Sequence, residues 1–202
     1  MFDQPNDVPV RGNFFGTGAA IPGAENLKCG DLFAGAGGFS LAALNVGLDV
    51  RFSVELDRHA CETYRKNLVS GEWPRVYERN ISRLSPKVID RDCFIEDEEC
   101  DLILGGPPCQ GFSVHRINGT GIDDPRNKLI HRYFKFVSHF NPRVFIMENV
   151  PGMLWARHSS YLKRFYRKAT QAGYEVYDPI AIEAADFGVP QKRKRVFVLG
   201  VR

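Results

Sequence analysis

From residue 27 to the end of the chain, short apolar runs alternate with stretches whose apolar positions recur every three to four residues. The runs at 27–33, 50–55, 101–104, 144–147, 174–182 and 195–201 have the length and β-branched or aromatic content of strands. Residues 75–77 are a weaker candidate. The stretches 38–46, 59–68, 128–140 and 159–172 carry the helical period. Strands alternating with helices predict an α/β fold, an open, mostly parallel, doubly wound sheet with helices on both faces. Ligands in such sheets gather at the carboxyl ends of the strands, and every motif singled out below falls at such an end. Residues 1–26 are rich in Gly, Pro and Asn and show no period. They are expected to form a flexible N-terminal arm, which leaves 27–202 as the domain.

Composition narrows the class. With 202 residues and 44% apolar content, the chain has enough material for one domain with a real core. No apolar run approaches the roughly 18 residues of a membrane span, and Met1-Phe2-Asp3-Gln4-Pro5 lacks the character of a signal peptide. The five cysteines, at 29, 61, 93, 100 and 109, show no Cys-x-x-Cys spacing. A reduced protein without a disulfide framework or zinc site is expected, cytoplasmic in a bacterium and nuclear in a eukaryote. The five histidines form no helix-spaced pair beside a carboxylate, so no metal is expected. Net charge is +3, but residues 102–202 carry 16 Lys and Arg against 7 Asp and Glu, whereas residues 1–101 carry 11 against 17. The basic half suits a polyanion. The plainer alternative is a helix face that happens to be basic, as at Arg157, Lys163, Arg164, Arg167 and Lys168.

Two regions carry candidate chemistry. The first predicted strand runs into Asp31-Leu32-Phe33-Ala34-Gly35-Ala36-Gly37-Gly38-Phe39-Ser40. Glycines there let a backbone pass close to a ligand, and the following helix offers free N–H groups. Glu55 ends the next strand, 20 residues after Gly35, where an acid commonly holds ribose hydroxyls. The dinucleotide fingerprint requires a third glycine where this chain has Ser40. An adenosine ligand without a pyrophosphate therefore fits better than NAD, and S-adenosylmethionine answers that description.

The second region begins at Gly105-Gly106-Pro107-Pro108-Cys109-Gln110-Gly111-Phe112-Ser113. Two prolines remove backbone donors and hold Cys109 at the lip of a strand. A thiol there is a candidate nucleophile; the alternative is a small buried hydrophobe. Residues 110–126 are polar and hinge-rich and read as a mobile loop over the site. Glu148 ends the apolar run at 144–147, where a carboxylate is costly to bury without a partner or a task. Gln191-Lys192-Arg193-Lys194-Arg195 precedes the last strand. In an extended segment Arg193 and Arg195 point to the same side, offering two guanidiniums to phosphate or carbonyl oxygens.

Taken in order, these pieces resemble the DNA cytosine-5 methyltransferases: DLFAGAGG (31–38), the acid in VELD (54–57), GGPPCQGFS (105–113), DDPRNKL (123–129), ENV (148–150) and GVPQKRKR (188–195). The resemblance covers roughly residues 27–202. It implies that Cys109 attacks carbon 6 of a cytosine flipped out of duplex DNA, that Glu148 holds ring nitrogen 3 and the amino group, that Arg195 contacts the base carbonyl, and that Arg193 supports the site. It implies S-adenosylmethionine as methyl donor, held by Phe33, Ala34, Gly35, Ala36, Gly38, Glu55, Leu56, Asn80, Ile81, Pro107 and Leu129. Gln110, Ser113 and Arg126 are the implied DNA contacts.

Two departures stand out. Asn80 occupies a position where the family usually has Asp facing the adenine amino group; its carbonyl can still accept. The family's target-recognition domain and last cofactor-pocket segment have no counterpart after residue 195. The expectation is a catalytic part working with a second chain that carries those pieces; a subunit of a split enzyme, a fragment and a truncated gene all remain open. The rival readings are an RNA cytosine-5 methyltransferase, less favoured because Gly111 and Ser113 stand where that branch has Pro and Thr, and a non-catalytic binding module that kept the fold.

Overall fold

A computed structural model describes residues 20–96, 98–108, 128–155 and 159–202. The strands are β1 (Lys28–Leu32), β2 (Asp49–Glu55), β3 (Arg75–Glu78), β4 (Leu102–Gly105), β5 (Val144–Asn149), β6 (Glu175–Val176), β7 (Ile180–Glu183) and β8 (Lys194–Val201). The helices are α1 (Gly38–Asn45), α2 (Arg58–Leu68), α3 (Pro86–Cys93), α4 (Lys128–Phe140) and α5 (Ser159–Gln171). One sheet runs β3-β2-β1-β4-β5-β8-β6, with β7 also paired to β8. The pairs from β3 to β5 are parallel, and β8 is antiparallel to β5, β6 and β7. The predicted doubly wound sheet is therefore present, with an antiparallel edge.

Side-chain alternation along the strands divides the core. Leu32, Phe52, Val54, Ile103, Phe145, Met147, Val196 and Val198 join residues of α3, α4 and α5 in the larger cluster. Cys29, Val50 and Leu104, with Leu102 and Ile146, pack under α1 on the other face. Phe145 is the hub of the larger cluster, with ring contacts to Tyr133, Phe134, Phe165 and Tyr174 at 5.1–6.4 Å. The fully buried Tyr133 hydroxyl donates to the carbonyls of Ile103 and Ile146, at 3.1 Å each, and so ties α4 to β4 and β5.

The pattern reading needs two corrections. Helix α3 was not predicted. It is eight residues long and buries Pro86, Ile89 and Cys93, too few turns for a period to show; its signal was Ser85-Pro86, a serine before a proline at the first helical position. The single strand expected at 174–182 is two strands, because Asp178-Pro179 interrupts it and proline cannot donate to a ladder. Of residues 1–26, 20–26 are described: Ile21 N–H donates to Val46 O at 3.0 Å and Ala24 is buried, and the others are exposed. Among the described residues no helix is long and apolar enough to cross a membrane.

Strand order decides where the site lies. β1 is followed by β2 and β3 on one side, and the chain then crosses over to place β4 on the other. The segments after β1 and β4 diverge there, which opens the crevice in which doubly wound sheets take ligands.

Candidate functional site at the carboxyl end of the sheet

The turn after β1 is a strained backbone. Phe33, Gly35 and Gly37 all have positive φ, at 60°, 55° and 100°. Ala34 N–H donates to Val54 O at 3.1 Å, and Gly37 N–H closes the turn on Ala34 O at 2.9 Å. Phe33 is half-buried against the large cluster; Ala36 and Gly38 are exposed, and the space beside Gly38 is open. Glu55 grips this turn from β2. One carboxylate oxygen accepts Gly35 N–H at 2.8 Å, and the other accepts Leu56 and Asp57 N–H at 2.7 and 2.8 Å. Glu55 was read as a sugar-holding acid; in the structure its carboxylate also builds the loop. Leu56 is exposed beside it.

Beneath the turn lies Asp31, fully buried, which the residue-by-residue reading did not single out. Its Oδ2 accepts from the backbone and hydroxyl of Ser40, at 3.1 and 2.8 Å. Burial raises the carboxyl to about 7, the Ser40 bonds pull it back down, and the Glu55 charge adds to the rise. Between its ordinary value of 3.8 and about 7, the folded state holds a proton that the unfolded state has lost. Stability from this group is therefore complete below the ordinary value and is lost as pH rises through about 7. Wild type is expected to melt higher at pH 6 than at pH 8, and Asp31→Asn to flatten that rise. Thermal unfolding across the window checks this; parallel curves for the two proteins contradict it.

After β4 the chain leaves the sheet at Gly105. A Cβ there would strike the Tyr133 ring and Leu32 O, so only glycine admits this approach. Gly106 N–H donates to Leu32 O at 3.2 Å. Buried Asn149, at the end of β5, donates through Nδ2 to Pro107 O at 3.2 Å, while its Oδ1 accepts Val150 N–H at 2.9 Å. This asparagine, inside ENV but not among the predicted site residues, locks the tail of β4 to the end of β5. Asn149→Ala leaves the Pro107 carbonyl without its partner and is expected to cost about 1–3 kcal/mol, measurable as a lower urea midpoint with unchanged slope.

Glu148 sits one residue earlier, on the α1 side of the sheet. Its Oε1 receives Arg195 Nε at 2.7 Å, and both side chains are about one-quarter exposed. Arg195 also donates to Lys194 O at 2.7 Å. The partner that a strand-end carboxylate requires is thus an arginine from the antiparallel strand. Arg193 is exposed, and its backbone N–H donates to the Glu183 carboxylate.

Asn80 is exposed, and its Oδ1 accepts Ser82 N–H at 2.9 Å, so its carbonyl already serves the loop. Ile81 is buried, with its carbonyl held by Arg132 Nε at 2.8 Å. Pro107 is buried, and Leu129 is half-buried at the start of α4. Cys109, Gln110, Ser113 and Arg126, and the loop predicted at 110–126, lie outside the described residues. The turn after β1, Glu55, the tail of β4 and the Glu148–Arg195 pair all come to the one end of the sheet. Lys163, Arg164, Arg167 and Lys168 lie on the solvent face of α5, which suits either reading of the basic half. A groove of about 780 Å³ opens near Leu44, Gly47, Asp49 and Trp73. That is the amino end of β2, away from every motif.

A sequence model of the C-5 cytosine-specific DNA methylases matches residues 27–202. The type II methyltransferase M.XorII of Xanthomonas oryzae pv. oryzae is 35% identical over 175 residues, covering 85% of this chain and 40% of that protein. M.AquIA of Picosynechococcus sp. is 37% identical over 179 residues, covering 85% of this chain and 70% of that protein. Among solved structures, an E. coli prophage protein assigned as a DNA modification methyltransferase superposes with a TM-score of 0.74 at 37% identity, over 87% of this chain and 47% of its own. A variant of Spodoptera frugiperda DNMT2 superposes at 0.63 with 27% identity, over 87% and 50%. The chain spans less than half of M.XorII and of the prophage protein.

Proposed function

The chain belongs to the C-5 cytosine-specific DNA methylases, and on that premise we propose that residues 27–202 form the part of a DNA cytosine-5 methyltransferase that holds the methyl donor and the target base. The observation that carries the reading is the meeting of the glycine turn, the tail of β4 and the 2.7 Å Glu148–Arg195 pair at one end of the sheet. The positive-φ turn fits S-adenosylmethionine: Ala36 and Gly38 are exposed, the space beside Gly35 and Gly38 is open, and Phe33, Glu55, Leu56, Pro107 and Leu129 would border the donor. Bound there, the donor supplies an electrophilic methyl group.

The chain's own residues act on the base. The Cys109 thiolate forms a bond to carbon 6. Glu148 takes a proton from solvent and passes it to ring nitrogen 3 as the sulfur adds, leaving the carboxylate paired with Arg195, so the negative charge does not build up on the ring. Arg195 holds the carbonyl oxygen and keeps Glu148 in place. Carbon 5 becomes nucleophilic and takes the methyl group. A water molecule takes the carbon-5 proton, the electron pair of that bond restores the carbon 5–carbon 6 double bond, the carbon–sulfur bond breaks to free the Cys109 thiolate, and nitrogen 3 returns its proton to Glu148. A cytosine inside a duplex must be flipped out to reach these groups. Sequence is read through base edges, and we assign that reading to the part of full-length relatives outside the match. The chain covers 70% of M.AquIA, so in that relative the matched part is the larger share of the protein. The type II names of the relatives favour a role in restriction–modification.

Radiolabelled S-adenosylmethionine tests the proposal, with cytosine-containing duplex DNA and RNA of the same sequence as acceptors. The 202-residue chain is expected to bind the donor weakly and to bind DNA in a salt-steep, sequence-indifferent way. Addition of the remaining part of the enzyme should place label in 5-methylcytosine of DNA. Label appearing only in RNA would overturn the substrate assignment. Donor affinity on the order of 1 μM, about 8 kcal/mol, for the chain alone would mean the pocket needs no further segment.

A further inference from the structure

We propose that Tyr64 is a positioning residue for the cofactor turn, holding residues 33–40 from beneath through Ser40 and Asp31 without touching the methyl donor. The proposal rests on the reading of that turn as the S-adenosylmethionine site. Tyr64 lies on α2 and is 1% exposed, so it has no path to a ligand. Its hydroxyl donates to Ser40 Oγ at 2.7 Å. The Ser40 hydroxyl, its proton directed onward, donates to Asp31 Oδ2 at 2.8 Å. The Ser40 backbone N–H, in the first turn of α1, donates to the same oxygen. Three elements are thereby tied together: α2, the start of α1 and β1.

The Tyr64 ring does a second job. Gly37 is at φ 100°, and a Cβ there would strike that ring and the Leu68 side chain. The ring fills the space directly below the tightest residue of the turn, while the hydroxyl pins the residue three places on. Glu55 holds the upper side through Gly35 N–H. The turn is clamped from above by one carboxylate and from below by the Tyr64–Ser40–Asp31 chain.

The chain of bonds is unsaturated at its lower end. Asp31 Oδ1 and the Ser53 hydroxyl are buried with no hydrogen-bond partner among the described residues. They are register partners on β1 and β2. A protonated Asp31 has a donor to offer on that side and keeps Oδ2 as acceptor for Ser40. Among the described residues, the titratable groups that act on Asp31 include Glu55 from β2, Tyr64 from α2, Cys29 from its own strand and Tyr133 from α4. None of these is a cation, so the neutral carboxylic acid is the better-tolerated form in this clamp.

A tyrosine that merely fills the core can lose its hydroxyl without changing how the turn presents its backbone. The test therefore uses Tyr64→Phe, which keeps the ring under Gly37, and Ser40→Ala. Calorimetry with S-adenosylmethionine on the 202-residue chain should show dissociation constants raised about five- to tenfold in each variant. The double variant should bind no more weakly than Ser40→Ala alone, since both changes break one chain of bonds. Amide exchange should accelerate at residues 37–41 and stay unchanged along β1. Measurable binding with equal constants in wild type and Tyr64→Phe overturns the proposal, and so does unchanged exchange at 37–41. If wild type binds no donor even with the remaining part of the enzyme present, and exchange at 37–41 still rises in Tyr64→Phe, the clamp stands and the cofactor assignment of the turn is what falls.

Discussion

Cys109→Ser is expected to eliminate the covalent complex with duplex DNA carrying 5-fluorocytosine. Fluorine at carbon 5 cannot leave as a cation, so an enzyme that has added its sulfur to carbon 6 is trapped after methyl transfer. Serine is a far weaker nucleophile at neutral pH, and methyl transfer should fall by at least about three orders of magnitude, the scale on which removing a covalent nucleophile acts. The other thiols make the assignment specific. Cys29, Cys61, Cys93 and Cys100 are all buried, at 4% exposure or less. Burial pushes each of them above the ordinary thiol range, so none supplies a thiolate. Cys61 and Cys100 also spend their S–H on the carbonyls of Glu55 and Leu102. Cys109, by contrast, follows Pro107, whose carbonyl Asn149 holds. Mass spectrometry of the trapped complex, formed by the enzyme with its sequence-reading part present, locates the attachment. Attachment at Cys61 or Cys93 sinks the assignment.

Glu148→Gln is expected to lower the single-turnover rate by about 10²–10⁴, the range typical for a lost general acid, with donor affinity unchanged within about twofold. Glutamine keeps the shape of the side chain and a carbonyl for Arg195 Nε, but it has no proton to give to ring nitrogen 3. The change also removes one charge of the 2.7 Å ion pair. Because both partners are about one-quarter exposed, water screens the charge left on Arg195, and the cost to folding should be small beside the cost to the rate. Arg195→Lys separates the two roles of the arginine. It keeps the charge but loses the planar guanidinium, and should weaken base binding more than donor binding. A rate within about tenfold of wild type in Glu148→Gln would falsify the proton-donor role.

The chain's local patterns determined the elements, their order and the ends at which chemistry sits. Strand and helix periods repeat within a few residues, and glycines and prolines mark the turns, so β1, β2, β4, β5 and β8 and, among the described residues, four of the five helices were legible without any tertiary contact. The alternation of strands and helices also implied the doubly wound sheet, because a parallel pair needs a crossover and an amphipathic helix needs a sheet to cover. Where an element was too short for a period, as in α3, or broken by Asp178-Pro179, the pattern lost it.

The tertiary structure decided who faces whom. Glu148 and Arg195 are 47 residues apart in the chain, and their pairing depends on β8 running antiparallel to β5 with Glu148 opposite Phe197. A one-residue slip of that register would send Arg195 to the other face of the sheet. Asn149 reaches Pro107 only because β4 and β5 are neighbours. Asp31 and Ser40 appear in the sequence as a strand residue and a missing glycine, and Tyr64 carries no signal of its own; the packing of α2 against the turn joins them. Local periodicity records which side of its own element a residue occupies. Register and helix packing, which couple residues far apart in the chain, set the distances on which the chemistry depends.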